Sequence, residues 1–314
     1  HPRGHSIKMW REAAVLSLLA ACAFASSGDR DPVYISCVAE CLKTDSTVPL
    51  YVFSFPFFCA FLIILTRDLA VFFWTPLDVC RYDCMHEIAQ RASLPDSLSP
   101  VQQYHGKWPF IRLWGIQEPA SVLFSLLNLS VYIIQARPLL ARMSRSHPLR
   151  FPLLIYALAG TLAWIFSSIF HIRDVSITEK LDYFSATSFS MAGLFVAIIM
   201  FFNIRSFSAQ ISLLLLLCLP LAYHIYYLGW VHFDYGYNML ANVVVGAITG
   251  ILWVAWHMRT RRSHGAMAVA VVVAVASGMA LELLDFPPIM WAVDAHALWH
   301  LWTVPCGAAW WVFW

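Results

Sequence analysis

The sequence predicts an all-α polytopic membrane protein, a seven-transmembrane-helix bundle preceded by a disulfide-containing luminal N-terminal segment. Three observations carry this reading. Hydrophobic residues make up 60% of the 314 positions and charged residues only 12%, at a mean hydropathy of +0.67. No water-soluble globule of this size can hide so much apolar surface. Apolar stretches of bilayer length recur from residue 118 onward, and the basic residues between them are abundant in every second loop. The net charge of +2 gathers into no nucleic-acid patch, so a nucleic-acid partner is not expected.

The chain divides into residues 1–27, 28–117 and 118–314. Met9 opens a short basic stretch, followed by the apolar run Ala13 to Phe24 and the small residues Ala25, Ser26 and Ser27, which is the pattern of a secretory signal peptide. Residues 1–8 then lie upstream of it, and the mature chain begins near Gly28. The apolar run is too short to span a core of ~30 Å comfortably.

Residues 28–117 read as a luminal segment with two C-x3-C motifs, Cys37/Cys41 and Cys80/Cys84. On helices, each pair projects from one face. Secretory entry makes disulfides the expected state. Four cysteines allow three connectivities, of which the nested Cys37–Cys84 with Cys41–Cys80 is preferred, and zinc binding is the alternative for such spacing. Cys22, Cys59, Cys218 and Cys306 sit in apolar runs and read as packing residues. Residues 50–74 are very apolar, yet a helix over 50–65 would reach only ~24 Å before Arg67-Asp68 interrupts it, so no further crossing is expected there.

Seven spans follow, near 118–136, 151–170, 183–202, 209–228, 235–256, 266–284 and 295–314. Their connections carry Arg137, Arg142, Arg145, Arg150, Arg205, Arg259, Arg261 and Arg262 on one side, against Arg173 and Lys180 on the other. Eight basic residues against two put the Arg-rich loops in the cytosol and the N-terminal segment in the lumen. "SSIFHIRDVSITEKLDYF" (167–184), Asp234, Glu282, Asp285 and "DAHALWH" (294–300) then converge at the luminal ends of the helices. Ionisable residues at that depth mark a functional site.

Spacing suggests the chemistry. Ser167 and His171 are four apart, as are His296 and His300, so each pair shares a helical face one turn apart. His171, His296 and His300 together make the three-histidine set that catalytic zinc uses, with a fourth position open to water. Asp182 is the candidate proton acceptor and Ser167 the candidate oxyanion donor. Ser168 rivals Ser167 but lacks the four-residue relation to His171. His224, His232 and Asp234 are candidates for supporting the ligands from outside.

The S-x3-H motif, the Asp eleven residues after its His, and the H-x3-H motif resemble the signature of the CREST superfamily of seven-helix membrane hydrolases, which includes alkaline ceramidases and adiponectin receptors. "YHGKWPFIRLWGIQEPAS" (104–121), "FHIRDVSITEKLDYF" (170–184), "HFDYGYNM" (232–239), "LELLDFPP" (281–288) and "DAHALWH" (294–300) resemble its post-GPI-attachment branch. That resemblance implies a zinc-dependent phospholipase A2-type hydrolase that removes the sn-2 acyl chain from the inositol phospholipid of GPI-anchored proteins. It implies His171, His296 and His300 as zinc ligands, Asp182 and Ser167 as assisting groups, and residence in the Golgi or endoplasmic reticulum membrane with a luminal active site. The substrate would be the lipid of GPI-anchored proteins, reached from the bilayer. A receptor or scaffold of the adiponectin-receptor type would share the histidines. A transporter would also explain intramembrane His and Asp, but paired Gly/Pro-broken repeats are lacking.

Overall fold

A computed structural model describes residues 26–44, 72–94 and 100–314, in two compact units that divide between Pro109 and Phe110. In the first unit a 3-10 turn, Ser27–Arg30, leads into α1 (Pro32–Thr44), and α2 spans Pro76–Ala92. Both helices open on proline, whose missing N–H costs nothing in a first turn. At α2 the Thr75 hydroxyl accepts from the Asp78 amide at 3.2 Å while the Asp78 carboxylate accepts from the Thr75 amide at 3.0 Å. This reciprocal cap fixes where the helix starts. Two disulfides, Cys37–Cys84 and Cys41–Cys80, staple α1 to α2 in the nested arrangement.

The covered core of this unit is small, centred on Tyr34, Cys84 and Tyr104. A unit of this size needs such covalent ties. Tyr34 Oη and His105 Nε2 are 2.9 Å apart, and the His105 amide donates to Asp29. Burial pushes the Tyr34 and Tyr104 phenols up to about 12 and holds His105 below its usual value. The cluster is therefore uncharged on its rings near neutral pH. The signal-peptide reading and most of residues 50–74, together with Cys22 and Cys59, lie outside the described residues.

The second unit consists of α3 (Pro119–Arg142), α4 (Arg150–Ile172), α5 (Ser176–Phe202), α6 (Phe207–Val231), α7 (Tyr235–Thr260), α8 (Gly265–Leu284) and α9 (Ala295–Phe313). Six of these, α3 to α8, are long and apolar enough to cross a membrane. The seventh expected segment is a helix where the sequence places it, but α9 does not meet the same measure. His296, His300 and its tryptophans make it less apolar than a lipid-facing span. The last part of α3 passes through a π turn at Tyr132–Ala136 just before Pro138, which has no N–H to bond the Ile134 carbonyl.

Helices α3, α4, α5, α7, α8 and α9 pack in a closed circuit, each against the next, with α9 returning to α3; α6 packs against α5 from outside. The circuit has two unlike ends. Around Leu153, Val196, Trp253, Trp256, Trp310 and Trp311, at the Arg-rich end, it is filled with aromatic and aliphatic side chains. At the other end the buried residues include Glu118, Ser121, Ser125, Asn128, Ser167, His171 and His300. Asn128, the acceptor residue of an Asn-Leu-Ser sequon, is 2% exposed and donates to the carbonyls of Phe124 and His300. It is closed to glycosylation there.

Close approach of α3 and α4 depends on Gly160. A Cβ there would fall 2.4–2.7 Å from the Tyr132 ring, a buried and rigid neighbour. Gly160→Val should lower stability by about 1–3 kcal/mol through overpacking. A thermal midpoint equal to that of the native chain in the same detergent would contradict this close packing.

Candidate metal centre

The histidines stand at helix ends. His171 occupies the last turn of α4, and α9 begins at Ala295 under the cap of Asp294, whose Oδ1 accepts from the Ala297 amide at 2.7 Å. That cap puts His296 and His300 in the first two turns of α9. Ring centroids are 5.2 Å apart for His171 and His296, 5.0 Å for His171 and His300, and 4.6 Å for His296 and His300. One nitrogen from each of the three lies within 4.8 Å of the others, close enough to hold one ion.

Each ring is oriented by an oxygen at its Nδ1. Glu118 Oε2 is 2.7 Å from His171 Nδ1, Glu282 Oε2 is 2.7 Å from His296 Nδ1, and Ser125 Oγ is 2.9 Å from His300 Nδ1. These oxygens come from three places: the residue capping α3, the last turn of α8, and α3 itself. The Glu118 position is itself held from α4, since its amide donates to the His171 carbonyl at 3.0 Å. Tyr235 Oη donates to Glu282 Oε1 at 3.3 Å. Ser125 Oγ also lies 3.1 Å from Ser167 Oγ, so a hydroxyl pair runs from α4 through α3 to His300.

This pattern fits a metal. A carboxylate can only accept, so the Nδ1 of His171 and of His296 must carry a proton, and their Nε2 lone pairs point inward. His296 Nε2 and His300 Nε2 are 2.9 Å apart. One of these nitrogens donates to the other when no ion is bound, and a cation between them would take both lone pairs in place of that hydrogen bond. Neutral imidazole whose far nitrogen donates to a carboxylate is the usual form of a zinc-bound histidine.

The structure thus brings together Ser167, His171, His296 and His300. Asp182 lies half-buried in the second turn of α5, outside the group within 4.8 Å, and its backbone carbonyl accepts from Ser185 Oγ. Ser168 Oγ donates to its own helix at the Trp164 carbonyl, 2.8 Å away. His224 belongs to a different buried set, with Nε2 3.2 Å from both Thr187 Oγ1 and Asn238 Oδ1. Asp234 caps α7, accepting from the Tyr237 amide, and His232 ends α6 with an exposed ring. The groups that orient the histidines are Glu118, Ser125 and Glu282, which spacing did not single out. Glu282 carried a signal all the same, as one of the acids closing an apolar run that the sequence groups with the histidine segments.

A family model described as the Per1-like family matches residues 67–314. The chain is 36% identical to the mouse protein "GPI-specific phospholipase A2-like PGAP3", over 93% of this chain and 89% of the relative. It is 38% identical to "Protein PER1 homolog" of Schizosaccharomyces pombe, over 90% and 84% of the two chains. With "Post-GPI attachment to proteins factor 3" of Drosophila melanogaster, identity is 34% over 93% and 89%. No solved structure matches. The matched region takes in all three histidines, the carboxylates that orient two of them and the whole helical unit, and this chain belongs to the Per1-like family.

Proposed function

We propose that this protein is a zinc-dependent hydrolase that removes the sn-2 acyl chain from the inositol phospholipid of GPI-anchored proteins, from a seven-helix bundle whose histidine end faces the lumen of the Golgi or endoplasmic reticulum. The observation that carries it is the three-histidine cluster with an oxygen at every Nδ1, in a chain whose relatives are named for GPI-specific phospholipase A2-like activity. Zinc held there supplies Lewis acidity towards an ester carbonyl and brings the pKa of water down to about 7.

The chain's own residues do the rest. Glu118, Glu282 and Ser125 fix the three rings, so no reorganisation is needed when an ester arrives. Asp182, on the helix following His171, accepts the proton released as water attacks. Ser167, already a hydrogen-bonding neighbour of Ser125, donates to the oxygen that gains charge. The polar end of the bundle lies where the helices leave the hydrocarbon. An ester of a two-tailed lipid sits at that depth, so the lipid can enter from the side while its glycan and protein stay in water.

Purified protein incubated with a GPI-anchored protein should release fatty acid and leave the lyso form, read by mass spectrometry of both products. A receptor or transporter would release neither. Glu118→Gln keeps the shape of its side chain but turns a charged acceptor into a neutral one, and should weaken metal affinity about 10- to 100-fold. Competition with a zinc-sensing dye measures it, and unchanged affinity would refute the orienting role.

A further inference from the structure

At the end of the bundle away from the histidines, a recess of about 480 Å³ opens between the start of α4, the link from α5 to α6 and the end of α7. Ile199 and Trp256, nearly inaccessible, form its floor, and His147, Asn203, Arg205, Arg259, Thr260 and Arg262 stand around it. Its walls are built. Gln210, 1% exposed, donates from Nε2 to the Pro148 carbonyl at 2.9 Å and to the Ile204 carbonyl at 3.0 Å, fastening both sides. Asn203 takes the left-handed conformation, φ 55°, which turns the chain across the mouth.

The acidic residues of this unit are absent from the Arg-rich end. No Asp or Glu occurs in residues 119–172, 183–233 or 235–281, so all three Arg-rich connections lack acids. The arginines around the recess are held by neutral partners: Arg205 Nε donates to Asn203 Oδ1 at 3.1 Å, and Arg259 donates to the Phe201 carbonyl with its guanidinium 4.9 Å over the Phe201 ring. Such contacts orient a guanidinium without cancelling its charge. All eight basic residues of these connections are Arg, none Lys. Membrane orientation is served by either. Only Arg presents the planar fork that matches two phosphate oxygens.

We propose that this recess binds the phosphorylated headgroup of an anionic membrane lipid, one that carries a phosphomonoester. The recess lies where α5 and α7 end, which is headgroup depth, and its size is in the range of ordinary small-ligand sites. A phosphomonoester brings close to two negative charges and three acceptor oxygens, enough to engage two guanidinium forks at once. Basic pockets between helices at a membrane surface are suited to such lipids.

The full chain in detergent, mixed with equal amounts of phosphatidylcholine, phosphatidylserine and phosphatidylinositol 4-phosphate, should retain the last of these preferentially in native mass spectrometry. The triple change Arg205→Gln/Arg259→Gln/Arg262→Gln should reduce that retention about tenfold or more. Arg137→Gln/Arg142→Gln/Arg145→Gln removes the same charge outside the recess and should leave it within about twofold. Should the first triple misfold, Arg262→Gln alone, at an exposed turn, should cost about fivefold. Equal loss in both triples, or equal retention of phosphatidylserine, would reduce the site to general surface charge and overturn the proposal. Soluble inositol bisphosphate binding as tightly as the lipid would overturn the membrane lipid as occupant.

Discussion

Alanine at His171, His296 or His300 should strip metal and hydrolysis together. The native chain should carry about one zinc per molecule, and each single variant should retain a small fraction of it after dialysis, because two histidines and water bind far less well than three. The effect is sharpened by the orienting oxygens. Removing the His296 ring leaves the partly buried Glu282 carboxylate without the N–H at its Oε2, with the Tyr235 hydroxyl still donating to Oε1, so the variant also weakens the pairing of a partly buried charge. Elemental analysis and lipid release on the same preparations decide the matter, and a His296→Ala protein that keeps both zinc and turnover would remove histidine ligation from the account.

Asp182→Asn should separate metal from chemistry. Asparagine keeps the size and reach of the side chain but is no base, so hydrolysis should fall by about 10² to 10⁴ while zinc is largely retained. The half-buried position of Asp182 on α5, outside the histidine group, suits a residue that handles protons rather than metal. A variant that loses its zinc in step with its activity would make Asp182 a support of the metal instead. Ser167→Ala should lose less, about 10² to 10³ at most, since it removes one donor among several influences on the same oxygen.

What could be read from the sequence was what helical periodicity fixes. Ser167 with His171 and His296 with His300 share faces because residues four apart must do so, and the nested stapling of α1 to α2 is one of the inter-helix pairings that two facing C-x3-C motifs allow. The oxygens at the ring nitrogens are another matter. Glu118 is 53 residues from His171, and Ser125 is 175 from His300. Those pairings are decided by which helices pack together, and the order of packing around the circuit is not written in any one segment. The character of α9 was the least legible. The two histidines that bring it into the cluster are, with its tryptophans, the residues that lower its hydropathy.

The spread of these partners along the chain also sets a schedule for synthesis. Glu118 and His171 can meet as soon as α3 and α4 are inserted, whereas Glu282, His296 and His300 have yet to be translated. At ribosomal rates on the order of 5–20 residues per second, roughly ten seconds separate the early pair from the synthesis of the remaining rings. During that interval the nascent chain would have one of the three histidines and no chelate to offer a metal ion. On the proposed zinc centre, loading would wait until α9 has docked on α3, when a single ion would meet a bundle that is already assembled.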